Sequence, residues 1–183
     1  QDSPRGIAYS SSASETALWI LLDGSPKDKL LKVDASAGTL ITNFSSDGIA
    51  DAPSQDTEGI VYVDSYIYIL ANESSGCCDQ SRKLYKVHPT TGKTEATIEL
   101  DDIAWNDLGG IPIDGTNFVI WEKTWNDVWK FTFNSSNNAE GVGKNWPWLD
   151  GQDGVKGLAY STGLEQYFAT AGDKVFLLNS SFN

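Results

Sequence analysis

The sequence predicts an all-β fold: a β-propeller built of four-stranded antiparallel blades, three complete and a fourth partial. Three observations point there. First, a phrase of Gly followed by apolar residues recurs as Gly6-Ile7-Ala8-Tyr9, Gly59-Ile60-Val61-Tyr62, Gly110-Ile111-Pro112-Ile113 and Gly157-Leu158-Ala159-Tyr160. Second, successive glycines of the phrase lie 53, 51 and 47 residues apart. A period near fifty with several short strands per unit is the mark of a propeller blade. Third, no segment carries a helical period, and each unit continues in strand-like runs. A β-sandwich with coincidental Gly-apolar starts is the competing architecture. Matching third strands and Gly-led hairpins argue against it.

The blades are expected at residues 6–53, 54–103, 104–153 and, incomplete, 154–183, as one domain or a portion of one. In the first unit, residues 6–10 form a short inner strand. Ala17-Leu18-Trp19-Ile20-Leu21-Leu22 is a continuous apolar run, as expected of a strand covered on both faces. Asp23-Gly24-Ser25-Pro26 turns the chain into Lys29-Leu30-Leu31-Lys32-Val33, and Ala37-Gly38 turns it again into a fourth strand at 39–43.

The second unit repeats this grammar. Gly59-Ile60-Val61-Tyr62-Val63 leads to Tyr66-Ile67-Tyr68-Ile69-Leu70, and Lys83-Leu84-Tyr85-Lys86-Val87 aligns with the third strand of the first unit. The hairpin Pro89-Thr90-Thr91-Gly92 aligns with Ala35-Ser36-Ala37-Gly38, and Ala96, Ile98 and Leu100 alternate to one face of the closing strand. The third unit has an inner strand at 110–113, strands at 117–121 and 127–132, and a poorly marked fourth near 139–143. The fourth unit stops after its third strand, Lys174-Val175-Phe176-Leu177-Leu178.

The 183 residues suffice for one domain with a core, and no apolar run reaches the roughly 20 residues that span a membrane. A formal net charge of -12 disfavours phosphate backbones, so no nucleic-acid partner is expected. The absence of Met marks a processed chain or a fragment, and Gln1 suits a mature secreted N-terminus or a fragment equally. Four Asn-x-Ser sequons, at Asn43, Asn72, Asn134 and Asn179, point to a secreted, extracellular glycoprotein. The alternative is that they are ordinary turn residues. The two cysteines are adjacent, Cys77-Cys78. In an oxidising compartment they form a vicinal disulfide or bridge to another polypeptide; otherwise they remain free thiols.

Loop carboxylates supply one candidate site. Asp56 and Glu58, with Asp101, Asp102 and Asp107, lie at blade boundaries, where several oxygens can converge on a hard cation such as calcium. Solvated turn carboxylates are the plain alternative. Aromatic loops supply another: Trp146 and Trp148 flank Pro147, where exposed indoles stack on sugar faces or anchor a protein partner. Trp19, Trp121 and Trp129 lie in strands and read as core. Catalytic motifs are thin. One His and no Gly-x-Ser-x-Gly phrase give a serine triad no support, and phosphate-cradling Gly loops are lacking.

The second unit, through Asp56-Thr57-Glu58-Gly59-Ile60-Val61-Tyr62 and Lys83-Leu84-Tyr85-Lys86-Val87-His88-Pro89-Thr90-Thr91-Gly92, resembles blades of the broad SdiA-regulated, phytase-like (esterase-like) and NHL-type repeat group. The likeness covers all four units, with the Asp-x-Glu-Gly phrase in the second. It implies a propeller scaffold, usually of about six blades. It also implies, as one alternative, a metal-assisted phosphoesterase.

The function expected from these features is a secreted, glycosylated propeller module that binds protein or assembles, without catalysis of its own. The alternatives are a fragment of a phytase-like hydrolase with a metal-held carboxylate site, and a carbohydrate-binding propeller taking a glycan on Trp146 and Trp148. The open last blade carries the assembly expectation, because long apolar sheet edges are seldom left exposed.

Overall fold

The computed structural model describes residues 3–11, 15–24, 28–44, 57–74, 80–100, 108–122, 127–133, 139–145, 157–171 and 173–179. It is all-β, and no helix occurs among the described residues. Among the described residues, sixteen strands form four antiparallel sheets, the blades of a β-propeller, in two compact units, Gln1–Ile98 and Glu99–Asn183.

In the first unit, the first sheet runs β1 (Ser3–Ser11), β2 (Thr16–Asp23), β3 (Lys29–Asp34) and β4 (Leu40–Asn43), in chain order. The second runs β5 (Thr57–Val63), β6 (Tyr66–Ser74), β7 (Gln80–Val87) and β8 (Thr94–Glu99). In the second unit, the third sheet contains β9 (Leu108–Gly109), β10 (Ile113–Asp114), β11 (Asn117–Glu122), β12 (Asp127–Phe133) and β13 (Ala139–Asn145). The fourth contains β14 (Gly157–Ser161), β15 (Gln166–Ala171) and β16 (Lys174–Leu178), with no strand beyond β16 among the described residues.

The hairpins before the outer strands repeat down to single hydrogen bonds. Gly38 and Gly92 both have φ +68°, and their N–H groups donate to Asp34 O and His88 O at 2.9 Å in each case. Asp34 braces its turn by accepting from the N–H groups of Ser36 and Ala37 at 2.8 Å. Those bonds hold its carboxyl below the usual carboxylate range, the Ala37 N–H contributing most. In the second sheet His88 Nδ1 takes this place, accepting from Thr90 N–H at 3.1 Å.

Two expectations need correction. The inner strand of the third unit is not continuous over 110–113: β9 and β10 are two short pieces, both paired with β11. Gly110 turns the backbone to φ +63°, and Pro112 has no N–H for a ladder, although its carbonyl still accepts from Val119 N–H at 3.0 Å. Likewise, β2 is not covered on both faces. Ala17, Trp19 and Leu21 are buried, whereas Leu18, Ile20 and Leu22 on the opposite face are half-buried.

Each unit has its own core. In the first, Ala8, Trp19, Leu21 and Leu30 of the first sheet pack with Ile60, Ile67, Ile69, Ala71, Tyr85 and Val87 of the second. The Trp19 ring lies nearly parallel to those of Phe44 and Tyr62, each at 6.4 Å. In the second, Val119, Trp121 and Val128 of the third sheet pack with Tyr167, Ala169, Ala171 and Leu178 of the fourth. The Gly-led phrase is part of this packing: a Cβ on Gly6 would stand 2.9 Å from Ile60 Cγ2, and one on Gly110 2.9 Å from Leu158 Cβ and N. Glycine therefore lets neighbouring inner strands approach closely.

Candidate functional site

The alignment of third strands puts a lysine at one repeated position: Lys32, Lys86 and Lys130. Each lies over an aromatic ring, at 5.2 Å from Trp19, 3.9 Å from Tyr66 and 5.4 Å from Tyr167. An ammonium over a π-face is attracted by the ring quadrupole. Lys32 also pairs with Glu15 at 2.6 Å, and Lys130 with Asp114 at 2.6 Å. The fourth sheet has Leu177 at this position, where it is exposed.

Asp114 is the centre of a polar cluster in the second unit. Its Oδ2 accepts from Lys130 Nζ at 2.6 Å and from Tyr167 Oη at 2.5 Å, and Tyr160 also bonds to it. Burial pushes the Asp114 carboxyl up, but the hydrogen bonds from Lys130 and Tyr167 and the Lys130 charge outweigh it, so its pKa is lowered. Tyr167 is driven the other way, first by burial and then by its bond to the carboxylate, and stays a donor. A carboxylate holding these donors is a latch that ties β10, β12 and β15 together. It is poorly placed to take a substrate proton.

Replacing Asp114 by Asn should cost about 1–2 kcal/mol at neutral pH, since Lys130 loses its carboxylate in a half-buried setting. Because the folded pKa of Asp114 lies below its unfolded value, its contribution is complete above about pH 4. It is lost as pH falls through the folded pKa. The gap between wild type and the variant in urea unfolding should therefore narrow as the pH falls below about 4.

A second polar cluster sits in the first unit, where inner strands begin and β2–β3 and β6–β7 turn. Asp28 is buried; its Oδ1 accepts from Gly24 N–H at 3.2 Å and its Oδ2 from Thr57 N–H at 3.3 Å. Glu58, at the bulge in β5, accepts from Asn72 Nδ2 at 3.3 Å. Thr57 Oγ1 and Asn72 Oδ1 are buried oxygens with no hydrogen-bond partner among the described residues. The sequence singled out Glu58 but not Asp28, Thr57 or Arg82. Arg82 is buried opposite Asn72 in the register. The phrase beginning at Asp56 was the available signal, and nothing local in the β2–β3 loop marks Asp28.

The remaining candidates scatter. Asn43 and Asn179 are exposed at the ends of β4 and β16. Asn72 is only 8% exposed and its Nδ2 is bonded to Glu58, the nitrogen a glycan would occupy. Asp56, Asp101, Asp102, Asp107, Asn134, Cys77, Cys78, Trp146 and Trp148 lie outside the described residues. Among the described residues no group of three or more His, Cys, Asp or Glu is placed to hold a metal. Trp19 and Trp121 are buried, and Trp129 is half-buried with its Nε1–H donating to Glu122 at 3.0 Å. Among the described residues no helix is long and apolar enough to cross a membrane.

No protein-family model matches the sequence, and no curated protein matches it. Solved structures similar in fold include glutaminyl cyclase from Myxococcus xanthus, with a TM-score of 0.61 at 12% identity over 97% of this chain and 73% of that one. A chain of the nidogen/laminin complex matches with 0.58 at 12%, over 97% of this chain and 65% of that one. The computationally designed Ika4 protein matches with 0.52 at 11%, over 98% and 92%. At such identities the likeness concerns the fold, and the class this defines is the β-propeller. The chain spans less than two thirds of the length of several neighbours, 43% for a DUF4623 family protein from Bacteroides eggerthii.

Proposed function

We propose that this chain is an extracellular, N-glycosylated β-propeller module that binds protein and assembles through that binding, without catalysis of its own. The observation that supports this most is the edge of the fourth sheet. Each of the other sheets has an outer strand beyond its third, whereas among the described residues none pairs beyond β16, which carries Val175 at 69% and Leu177 at 54% exposure. Such an edge offers backbone hydrogen bonds to an added strand. Exposed Asn43 and Asn179 support the glycoprotein part. The likeness of the second unit to SdiA-regulated, phytase-like and NHL-type blades fits a scaffold of this kind. Two fold neighbours were solved in protein complexes, nidogen with laminin and KlAtg21 with the coiled coil of AgAtg16.

The test uses hydrogen exchange and intact mass. A synthetic peptide of residues 93–100, the outer strand of the second sheet, should slow exchange of the β16 amides, and a version with Pro at 96 and 98 should not. The mass of the native chain should drop on enzymatic removal of N-glycans. Unchanged β16 exchange with peptide and at every chain concentration would overturn the binding reading; an unchanged mass would remove the glycan part.

The oxygens around Glu58 favour a second reading, a calcium site. A carboxylate bonded to the Asn72 side chain, with buried oxygens on Asn72 and on the adjoining Thr57 that have no hydrogen-bond partner among the described residues, supplies the oxygen donors a hard cation takes. Calcium should then raise the Tm of the wild type and leave that of Glu58→Gln unchanged. Equal shifts in both proteins, or none, would remove this reading.

A further inference from the structure

The hairpins that lead into β4 and β8 share their backbone hydrogen bonds and differ in one side chain. In the first, Asp34 N–H donates to Thr39 O at 2.8 Å and Gly38 N–H to Asp34 O at 2.9 Å. In the second, His88 N–H donates to Lys93 O and Gly92 N–H to His88 O, both at 2.9 Å. Asp34 and His88 therefore hold the same place. Each closes its turn through its own N–H and C=O, then braces it with its side chain. The Asp34 carboxylate accepts from the N–H groups of Ser36 and Ala37 at 2.8 Å. His88 offers Nδ1 to Thr90 N–H at 3.1 Å.

The two braces respond differently to protons. A ring nitrogen that accepts a hydrogen bond carries no proton, so the imidazole holding Thr90 is the neutral form, protonated on Nε2. An imidazolium has N–H groups at both nitrogens and no acceptor, and turning the ring over does not restore one. Imidazoles change charge between about pH 5 and about pH 8. The Asp34 carboxyl, held below the usual carboxylate range chiefly by the Ala37 N–H, stays ionised throughout that interval. The bond from Thr90 is thus complete at the alkaline end and is lost as the pH falls. His88 is the chain's one histidine.

The charged groups around the ring gather on Tyr66. Tyr66 of β6 meets the imidazole edge-on, with centroids 6.2 Å apart. Lys86 of β7 stands over the Tyr66 ring at 3.9 Å, and Glu95 of β8 accepts from the Tyr66 hydroxyl. The Lys86 ammonium opposes a charge on His88 and the Glu95 carboxylate favours one, so these two effects offset each other. What remains is the brace itself.

The hairpin also has something to move. Gly92 is buried with φ +68°, and a Cβ there would fall on the Phe44 ring. Phe44 packs on the core of the unit, parallel to Trp19 at 6.4 Å. Beyond the hairpin, β8 is the outer strand of its sheet, and Ile98 is its one fully buried side chain. A strand with so little buried surface is readily loosened at its turn.

We propose that His88 is a proton-sensitive clasp: neutral, it closes the β7–β8 hairpin; protonated, it releases Thr90 and loosens the hairpin, β8 and the contact of Gly92 with Phe44. The first hairpin, braced by Asp34, stays closed. Mild acid therefore bares the edge of β7 more often while leaving that of β3 covered.

The test is amide hydrogen exchange on the full chain at about pH 8 and about pH 5, with protection taken against unstructured peptides of the same hairpins at the same pH. In the wild type, protection of the His88 and Gly92 amides should fall about three- to tenfold from the higher pH to the lower, the range of one neutral hydrogen bond. That of Asp34 and Gly38 should hold. His88→Asp carries the first hairpin's brace into the second and should keep its protection at both pH values. His88→Ala has no brace and should show the lower protection at both. Wild-type protection at Gly92 that is the same at both pH values overturns the proposal. So does a fall that Gly38 shares equally, or one that persists in His88→Asp or His88→Ala.

Discussion

Trp19→Ala is expected to lower stability by about 3–5 kcal/mol, the range for deleting a large buried aromatic. Trp19 is 1% exposed and lies in the core shared by the first and second sheets. Its truncation removes the parallel contacts to Phe44 and Tyr62 and the support under the Lys32 ammonium. It also removes the indole N–H that donates to Ser10 Oγ at 2.9 Å. Trp19→Phe keeps much of the ring volume but not this bond, so it should recover more than half of the loss. The cores of the two units are separate clusters, so hydrogen exchange should quicken in β1–β8 well before β9–β16. A loss under about 1 kcal/mol would mean that Trp19 is not the keystone of this core.

Gly110→Ala should cost about 3 kcal/mol, against about 1–2 kcal/mol for Gly115→Ala. Both glycines have φ +63°, so both variants bear the strain of a left-handed alanine. They differ in surroundings. A Cβ at Gly115 meets nothing within 4 Å, whereas one at Gly110 stands 2.9 Å from Leu158 Cβ and N. A backbone nitrogen cannot swing aside like the end of a side chain, so β14 must shift. The difference between the two variants in urea unfolding isolates the contact between the inner strands of the third and fourth sheets. Equal losses would show that backbone conformation alone demands glycine at 110.

Much of the fold was legible because it depends on local rules repeated along the chain. The hairpins at Gly38 and Gly92 could be matched from their sequences, and they share one φ and one hydrogen-bond pattern. The alternation of Ala96, Ile98 and Leu100 gave the face of β8, although β13 was only faintly marked. The break between β9 and β10 was less visible. Gly110 reads the same as Gly6 until its φ is known, and Pro112 had to be weighed against apolar neighbours.

The candidate site was much less legible. Asp114, Lys130 and Tyr167 are separated by up to 53 residues, and their cluster exists only because two sheets pack face to face. Asp28 reaches Thr57 across 29 residues for the same reason. Asn72 reads as a glycosylation sequon, and only its burial against Glu58 reveals another use for its side chain.

By itself the sequence determined the repeat and its strands, because hydrogen-bond ladders and turns are set by neighbouring residues. Tertiary structure decided which apolar faces are covered. Ile7 and Ile60 are the same residue at the same point of the same phrase. One is buried and the other exposed, because burial depends on whether another sheet lies against the face.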